Sequence, residues 1–369
     1  MKNILYYVKR FGSKSFSEFP FNEVDGLILS QISYMNLDSF LPSIDDTMED
    51  VSLLECLNEK NLEIARKDTL DYKRNKKLIH ALQKSSRYQG LRANYFSNQF
   101  SIEHVEQFCA MTFIFDEFMF VAYRGTDITL LGWKENFNMS YLDVIPSQEE
   151  AYKYFDRVAN KRDLPVYLGG HSKGGNLAVY AALNCSEENK KRILHIFDYD
   201  GPGFQRDIFK TNELKLIKER MTKYTCREAM VGILLHHSEE MIFVKSKGLN
   251  IFQHDPYNWL ITKEGKFRLV KNSNIFSKTF EKTVSDFIES TALENRKRFL
   301  EIVFQVSMEH SYSTVLDWLR HPLRSIIGMI KRYKNLTLQK RTFFKMMIKK
   351  YRKLWKHNFK MFFRSKKER

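Results

Sequence analysis

Three features of the 369-residue sequence predict an α/β protein, with a mostly parallel sheet flanked by helices and a helical, basic C-terminal extension. One is the stretch Pro165 to Leu183. A short apolar run there meets paired glycines and opens into Leu177, Val179, Ala181 and Leu183 among small residues, the pattern of strand, tight turn and helix. Another is the recurrence of aromatic and β-branched runs between stretches of helical period. The third is charge. Arg320 to Arg369 holds 18 Lys and Arg against one acid, Glu368, while the rest of a chain with formal net charge +16 nearly balances. The expected division is a sheet domain over 1–275, a helical extension over 276–318 and a basic amphipathic helical tail over 319–369.

In chain order, Val24, Leu27, Ile28, Ile32, Met35 and Leu37 recur at helical spacing between Phe21 and Phe40, and Pro42 closes that segment. The charged stretch Leu57 to Lys84 reads as one or two surface helices, and Tyr88 to Ser101 as a loop. Two apolar runs, Gln107 to Phe115 and Phe118 to Tyr123, are separated by Asp116 and Glu117, which is the spacing of a hairpin. The second run delivers Arg124-Gly125-Thr126-Asp127 into a loop. Ser147 to Lys161 reads as a helix capped by Ser147, with Glu149 and Glu150 in its first turn.

After the Pro165–Leu183 unit comes a strand, Ile193 to Phe197, that runs into Asp198-Tyr199-Asp200-Gly201-Pro202-Gly203-Phe204. Leu214 to Met221 reads as helix, Thr222 to Cys226 and Met241 to Lys245 as strands, and Met230 to His237 as a turn or helix between them. Gln253-His254-Asp255-Pro256 is a loop, because proline disfavours helix in the residue before it. Phe276 to Asp317 is mostly helical.

The chemistry concentrates at Gly170-His171-Ser172-Lys173-Gly174, which fits G-x-S-x-G, a serine on a strained turn from strand to helix. The bland alternative is a glycine-rich turn that binds phosphate or nothing. A serine hydroxyl needs a base, and the base needs a carboxylate to hold its tautomer. Beyond the candidate acids, His236, His237 and His254 are the histidines outside the late helical and basic segments, and His254, on its loop, is favoured. The acid is Asp200, Asp198 or Glu228, with Asp200 chosen because it abuts the Gly-Pro-Gly turn. His171 precedes the serine and is expected to face away from it in a structural role.

Taken together, YRGTD at Tyr123 to Asp127, GHSKGGNLA at Gly170 to Ala178, DGPGF at Asp200 to Phe204 and QHD at Gln253 to Asp255 resemble an Mbeg-like bacterial α/β-hydrolase family allied to class 3 triacylglycerol lipases. The resemblance covers roughly Phe21 to Ile261. It implies an α/β-hydrolase fold with Ser172 as nucleophile, His254 as base, and Thr126 with the amide of Lys173 as the oxyanion hole. It also supports Asp200. The chain departs from class 3 lipases in Lys173, where an apolar residue is usual, and in its acid, which those enzymes take from the position held here by Glu228. The implied activity is hydrolysis of a carboxylic ester or acyl lipid without cofactor or metal. The competing class is a non-catalytic protein on the same fold.

The remaining composition bounds the setting. A hydrophobic share of 43% with 30 Phe excludes a disordered chain. Cys56, Cys109, Cys185 and Cys226 form no C-x-x-C pair, so neither a zinc site nor a disulfide framework is expected. The apolar run at Met1 to Lys9 is too short for a secretory signal, and Asp116 and Glu117 break the longest other candidate span. A cytoplasmic protein is expected. In the tail, Phe344, Ile348, Tyr351, Trp355, Phe359 and Phe362 recur at three- and four-residue spacing among Lys and Arg. Such a helix suits an anionic membrane at the inner face, less readily nucleic acid, or simply packing of its apolar side on the body.

Overall fold

The structure is a computed structural model, described over residues 2–67, 69–127, 129–204, 217–237, 240–271, 273–307 and 321–367. Two N-terminal helices, α1 (Ile4–Phe11) and α2 (Glu23–Ile32), precede a short strand β1 (Val51–Ser52) and helices α3 (Leu53–Cys56), α4 (Glu59–Ala65) and α5 (Tyr72–Gln83). Helix α2 is shorter than its apolar spacing suggests. Asn22 caps it by accepting from the Val24 amide at 2.8 Å, and Met35 and Leu37 lie in the turns that follow.

Strands β2 (Arg92–Ser101), β3 (Glu106–Ile114) and β4 (Met119–Tyr123) then form an antiparallel meander. The expected hairpin is present, but the segment read as a loop up to Ser101 is largely β2. A register shift between Asn94 and Ser97, with Tyr95 at φ +56°, interrupts the two-residue alternation by which a strand is recognised.

From β4 onward the sheet is parallel. Helices α6 (Leu130–Asn138) and α7 (Pro146–Lys161) lead to β5 (Val166–His171). Helices α8 (Lys173–Asn184) and α9 (Glu187–Arg192) lead to β6 (Ile193–Tyr199), followed by β7 (Met221–Cys226) and β8 (Met241–Val244). The eight strands lie side by side in chain order. Of the helix read over Leu214 to Met221, the part before residue 217 lies outside the described residues, and Met221 belongs to β7. Helix α7 begins with Pro146 at its first turn and Ile145 as N-cap. Ser147 sits two positions past the cap, and its amide instead donates to Glu135 Oε1 at 3.3 Å.

Consecutive parallel strands in unbroken order put right-handed crossovers on a single face. Helices α7 and α8 accordingly pack there against Val121, Tyr123, Leu168 and Ile196. The opposite face would be bare without the N-terminal helices. Phe113, Phe120, Phe197 and Tyr199 alternate onto that side and are covered by α1, α2 and α5. A buried ion pair ties this layer down: Arg87 donates to Asp25 at 2.9 and 2.6 Å, and Tyr88 donates to the same carboxylate at 2.5 Å.

The C-terminal helices are α10 (Ile275–Glu289), α11 (Leu293–Ser307), α12 (Pro322–Asn335) and α13 (Leu338–Lys367). They share a core of Phe287, Ile302, Val306, Leu336, Phe343 and Met347. The face of α13 that enters this core is the expected one only in part, with Phe344 and Tyr351 packing on it. Phe343, Met347 and Asn358 are buried, whereas Ile348 and Phe359 are exposed. The reason is in the sequence: Phe343-Phe344, Met346-Met347 and Phe362-Phe363 give two adjacent apolar columns, about 100° apart on a helix, and only packing selects between them.

Candidate active site

Strands β4, β5, β6 and β7 pair through Tyr123 with Gly170, Gly170 with Asp198, and Tyr199 with Tyr224, so their carboxyl ends fall on one edge. Open parallel sheets bind ligands along that edge. Ser172 stands there between β5 and α8 at φ +60°, ψ −133°. This conformation costs a non-glycine residue roughly 1–3 kcal/mol. The elbow tolerates no bulk. A Cβ on Gly174 would lie 2.1 Å from the Tyr123 carbonyl oxygen, and one on Gly125 would lie 2.4 Å from that of His171 and 3.1 Å from Ser172 Cβ. The Gly125-Thr126 loop therefore passes directly against the serine.

His254 is brought to the same edge by its loop and donates from Nδ1 to Asp200 Oδ2 at 2.6 Å. Asp200 is wholly buried and has φ +56°. Thr225 donates its hydroxyl to the other carboxylate oxygen, and the Asp200 amide donates to the Tyr224 carbonyl at 2.7 Å. Burial pushes the Asp200 pKa up. The hydrogen bonds from His254 and Thr225 and the nearby imidazole charge outweigh it, so the carboxyl stays below its ordinary value.

Asp198, two residues earlier, does different work. It accepts from Lys223 Nζ at 2.7 Å and from the Gly201 amide at 2.8 Å, both in the interior. Glu228 accepts from Asn274 at 2.9 Å. Of the three candidate acids, the structure brings Asp200 to His254. His236 pairs instead with Phe204 through its backbone. Among the described residues Ser172 Oγ makes no hydrogen bond, and Ser172 is 8% exposed.

His171, expected to face away in a structural role, packs against the His254 loop. Its Nε2–H donates to the His254 carbonyl at 2.8 Å, which leaves Nδ1 to accept from the Tyr34 hydroxyl at 3.0 Å. The two imidazoles lie 4.3 Å apart between centroids. Burial, reinforced by the neighbouring His254, pulls the His171 pKa down to about 3. His171 thus stays neutral beside His254 while fixing its backbone.

Sequence reasoning missed the supports of this site. Asn176 donates to the carbonyls of Pro202 and Gly203 at 3.1 Å each and so ties the Gly-Pro-Gly turn to α8. Gln253 accepts from the Glu228 amide at 3.1 Å and steadies the His254 loop. Lys173 is wholly buried, and its Nζ reaches Glu135 Oε2 at 2.5 Å and the Gln107 carbonyl. Gln107 Oε1 in turn accepts from the Asp127 amide at 3.3 Å, and Thr126 Oγ1 accepts from Asn136 at 2.6 Å. These bonds join the start of α8 to the Thr126 loop. The Lys173 amide heads α8, where a first-turn N–H has no acceptor within its own helix.

Comparison with known proteins adds a family. The crystal structure of M37 lipase resembles the chain with a TM-score of 0.37 and 15% sequence identity, over 58% of this chain and 70% of that one. No curated protein matches the chain. A family model described as Mbeg1-like matches residues 82–305, the span that carries the serine elbow, the Asp200 strand end and the His254 loop, and so the chain belongs to the Mbeg1-like family.

Proposed function

We propose that the chain is a serine hydrolase that cleaves a carboxylic ester, with an acyl lipid as the substrate class suggested by its resemblance to lipases. The observation that carries the reading is the 2.6 Å contact of His254 Nδ1 with buried Asp200, at the sheet edge where Ser172 stands in an elbow conformation. A carboxylate on Nδ1 holds the proton there and leaves Nε2 as the basic nitrogen.

In this mechanism Ser172 Oγ attacks the ester carbonyl as His254 Nε2 takes its proton. The negative charge on the carbonyl oxygen is received by the amides of Thr126 and Lys173, and losing one such donor costs about 3–4 kcal/mol of barrier. Collapse expels the alcohol, which receives the proton from His254. Water then attacks the acyl-Ser172 ester by the same route and releases the acid. Lys173 Nζ takes no part, since it is committed to Glu135 and Gln107.

A fluorophosphonate probe tests this directly. The expected result is a single adduct on Ser172, absent in Ser172→Ala. Asp200→Asn should lower the rate of labelling and of short-chain ester hydrolysis by about 10⁴-fold, whereas Asp198→Asn leaves the rate per folded molecule nearly unchanged. A folded wild-type protein that is never labelled would leave the non-catalytic reading standing.

A further inference from the structure

The C-terminal helices hold an apolar surface that the core does not use, and it is not the one the tail's periodicity suggested. On α12, Leu323, Ile326, Ile327 and Ile330 are 75, 52, 66 and 49% exposed. Their spacing of three, four and seven places all four on one side of the helix. The flank that runs from this ridge to the far side is engaged: Met329 and Tyr333 pack on the core, and Arg332 donates to the Val306 carbonyl at 2.7 Å. Leu323, Ile326, Ile327 and Ile330 therefore form a free aliphatic ridge, flanked by exposed Arg324, Lys331 and Lys334.

Beside the ridge, α12 and α13 enclose an open groove of about 670 Å³. Tyr333, Phe344 and Ile348 make its floor. Lys345, Lys349, Arg352, Lys353 and Lys356 make its rim. Residues 321–367 contain 16 Lys and Arg and no acid.

We infer that the α12 ridge and the α13 rim form a docking surface for an anionic phospholipid bilayer, with the ridge entering the interface and the lysines meeting the headgroup phosphates. Charge complementarity selects the partner. A second copy would oppose one cationic face with another, and nucleic acid would leave four aliphatic side chains against phosphates and water. An anionic bilayer satisfies both parts at once, because an amphipathic helix lies in the interface with its apolar side down and its cations among the headgroups. Among the described residues no helix is long and apolar enough to cross a membrane, so the element lies on the surface rather than through it.

The position of this surface relates it to the candidate site. Helix α10 is rooted by the Asn274 amide on the Arg227 carbonyl at 3.2 Å, just past the end of β7. Helix α11 leans on α6 through Phe137 and Phe304, whose rings are 5.7 Å apart, and through Arg296, which donates to the Ser140 carbonyl at 2.5 Å. Both roots follow the carboxyl ends of sheet strands, the edge that carries Ser172 and His254. A chain bound through α12 and α13 is thereby held to the membrane by helices that grow from the site's own edge.

Vesicle sedimentation of the full chain tests the inference, and Ser172→Ala is included because binding does not depend on the hydrolase reading. Vesicles of phosphatidylglycerol and phosphatidylcholine in equal parts should sediment the wild type and Ser172→Ala alike, and phosphatidylcholine alone should not. The combined change Ile326→Ser with Ile327→Ser should weaken binding by about tenfold or more. Lys345→Gln, Lys349→Gln and Lys353→Gln together should weaken it by roughly 100-fold. All five side chains are exposed, so thermal unfolding should be unchanged and a loss of binding is a loss of surface. The inference is overturned if the wild type fails to sediment with anionic vesicles, if it binds both vesicle types equally, or if the isoleucine pair binds as the wild type does. It is equally overturned if duplex DNA strips the chain from vesicles and still binds the isoleucine variant, or if that variant merely dissolves a dimer.

Discussion

In the sheet body, Lys173 is completely buried against Glu135, Lys223 against Asp198 and Arg87 against Asp25, each cation meeting a carboxylate within 2.7 Å. In α12 and α13 the arrangement is reversed: most lysines stand in solvent without acids in those helices, and Leu323 and Ile327 stand in solvent with them. The same residue types serve different ends. A buried pair is costly to desolvate and costlier to break, so it fixes one arrangement of the elements it joins. An exposed lysine adds little to stability but sets what the surface attracts. One region is built to hold a geometry, and the other is the one proposed to meet a partner.

Breaking a body pair should have the largest effect. Lys173→Met leaves the Glu135 carboxylate buried and uncompensated, and should cost about 3–5 kcal/mol in denaturant unfolding. Adding Glu135→Gln should recover part of the loss, because the charge is gone while an oxygen remains for the Gln107 or Ser147 amide. A loss below about 0.5 kcal/mol would place Lys173 with the surface lysines, and the contrast between the regions would fail.

The histidines offer a sharper and smaller test. In the folded chain His171 resists protonation down to about pH 3, whereas the unfolded chain accepts a proton near 6.5. Its stabilising contribution is thus complete above pH 6.5 and declines as pH falls toward 3. Over pH 7 to 5 that single group should account for roughly 2 kcal/mol. His171→Gln should flatten the pH dependence of unfolding by that amount relative to wild type. Asp200 does not interfere in this window. Its folded pKa lies below its ordinary 3.8, so its contribution is lost only in more acidic solution. Asp71, raised to about 6 mainly by burial and then by Asp255, works in the opposite direction but is common to both proteins. Equal slopes for the two proteins would show that His171 is not held neutral.

How much of this was legible follows from how local each signal is. The elbow at Ser172 is written in five consecutive residues, and the order of serine, acid and histidine along the chain suggested the rest. The choice between Asp198 and Asp200 was harder, because residues two apart on a regular strand share a face. It is the positive φ at Asp200, just past the end of β6, that separates them. Lys173 was illegible because a lysine ordinarily reads as solvent-facing, and its partner lies 38 residues away. Strand β2 was hidden by its own bulge. In the tail the helix was plain but its buried face only in part, since Phe344 and Tyr351 share the core contact with Phe343 and Met347 of the adjacent column. The aliphatic ridge of α12 is a separate signal, four residues on the helix before the aromatic column.

The smallest expected effect closes the comparison from the other side. Lys349 lies on the groove rim and is exposed, as is the apolar Ile348 beside it. Lys349→Gln removes the charge and keeps the polar reach. If the tail's cations serve recognition, thermal unfolding should move by no more than about 0.5 kcal/mol equivalent. A loss approaching that of Lys173→Met would mean that Lys349 holds the helices together. The mechanism would then have to be structural, because a lysine in solvent, lacking an acid in its own helix, has no desolvated partner whose charge could be stranded. The near-neutral outcome is therefore informative: paired with a large loss at Lys173, it shows that burial and a partner, not the residue type, decide what a lysine contributes to this fold.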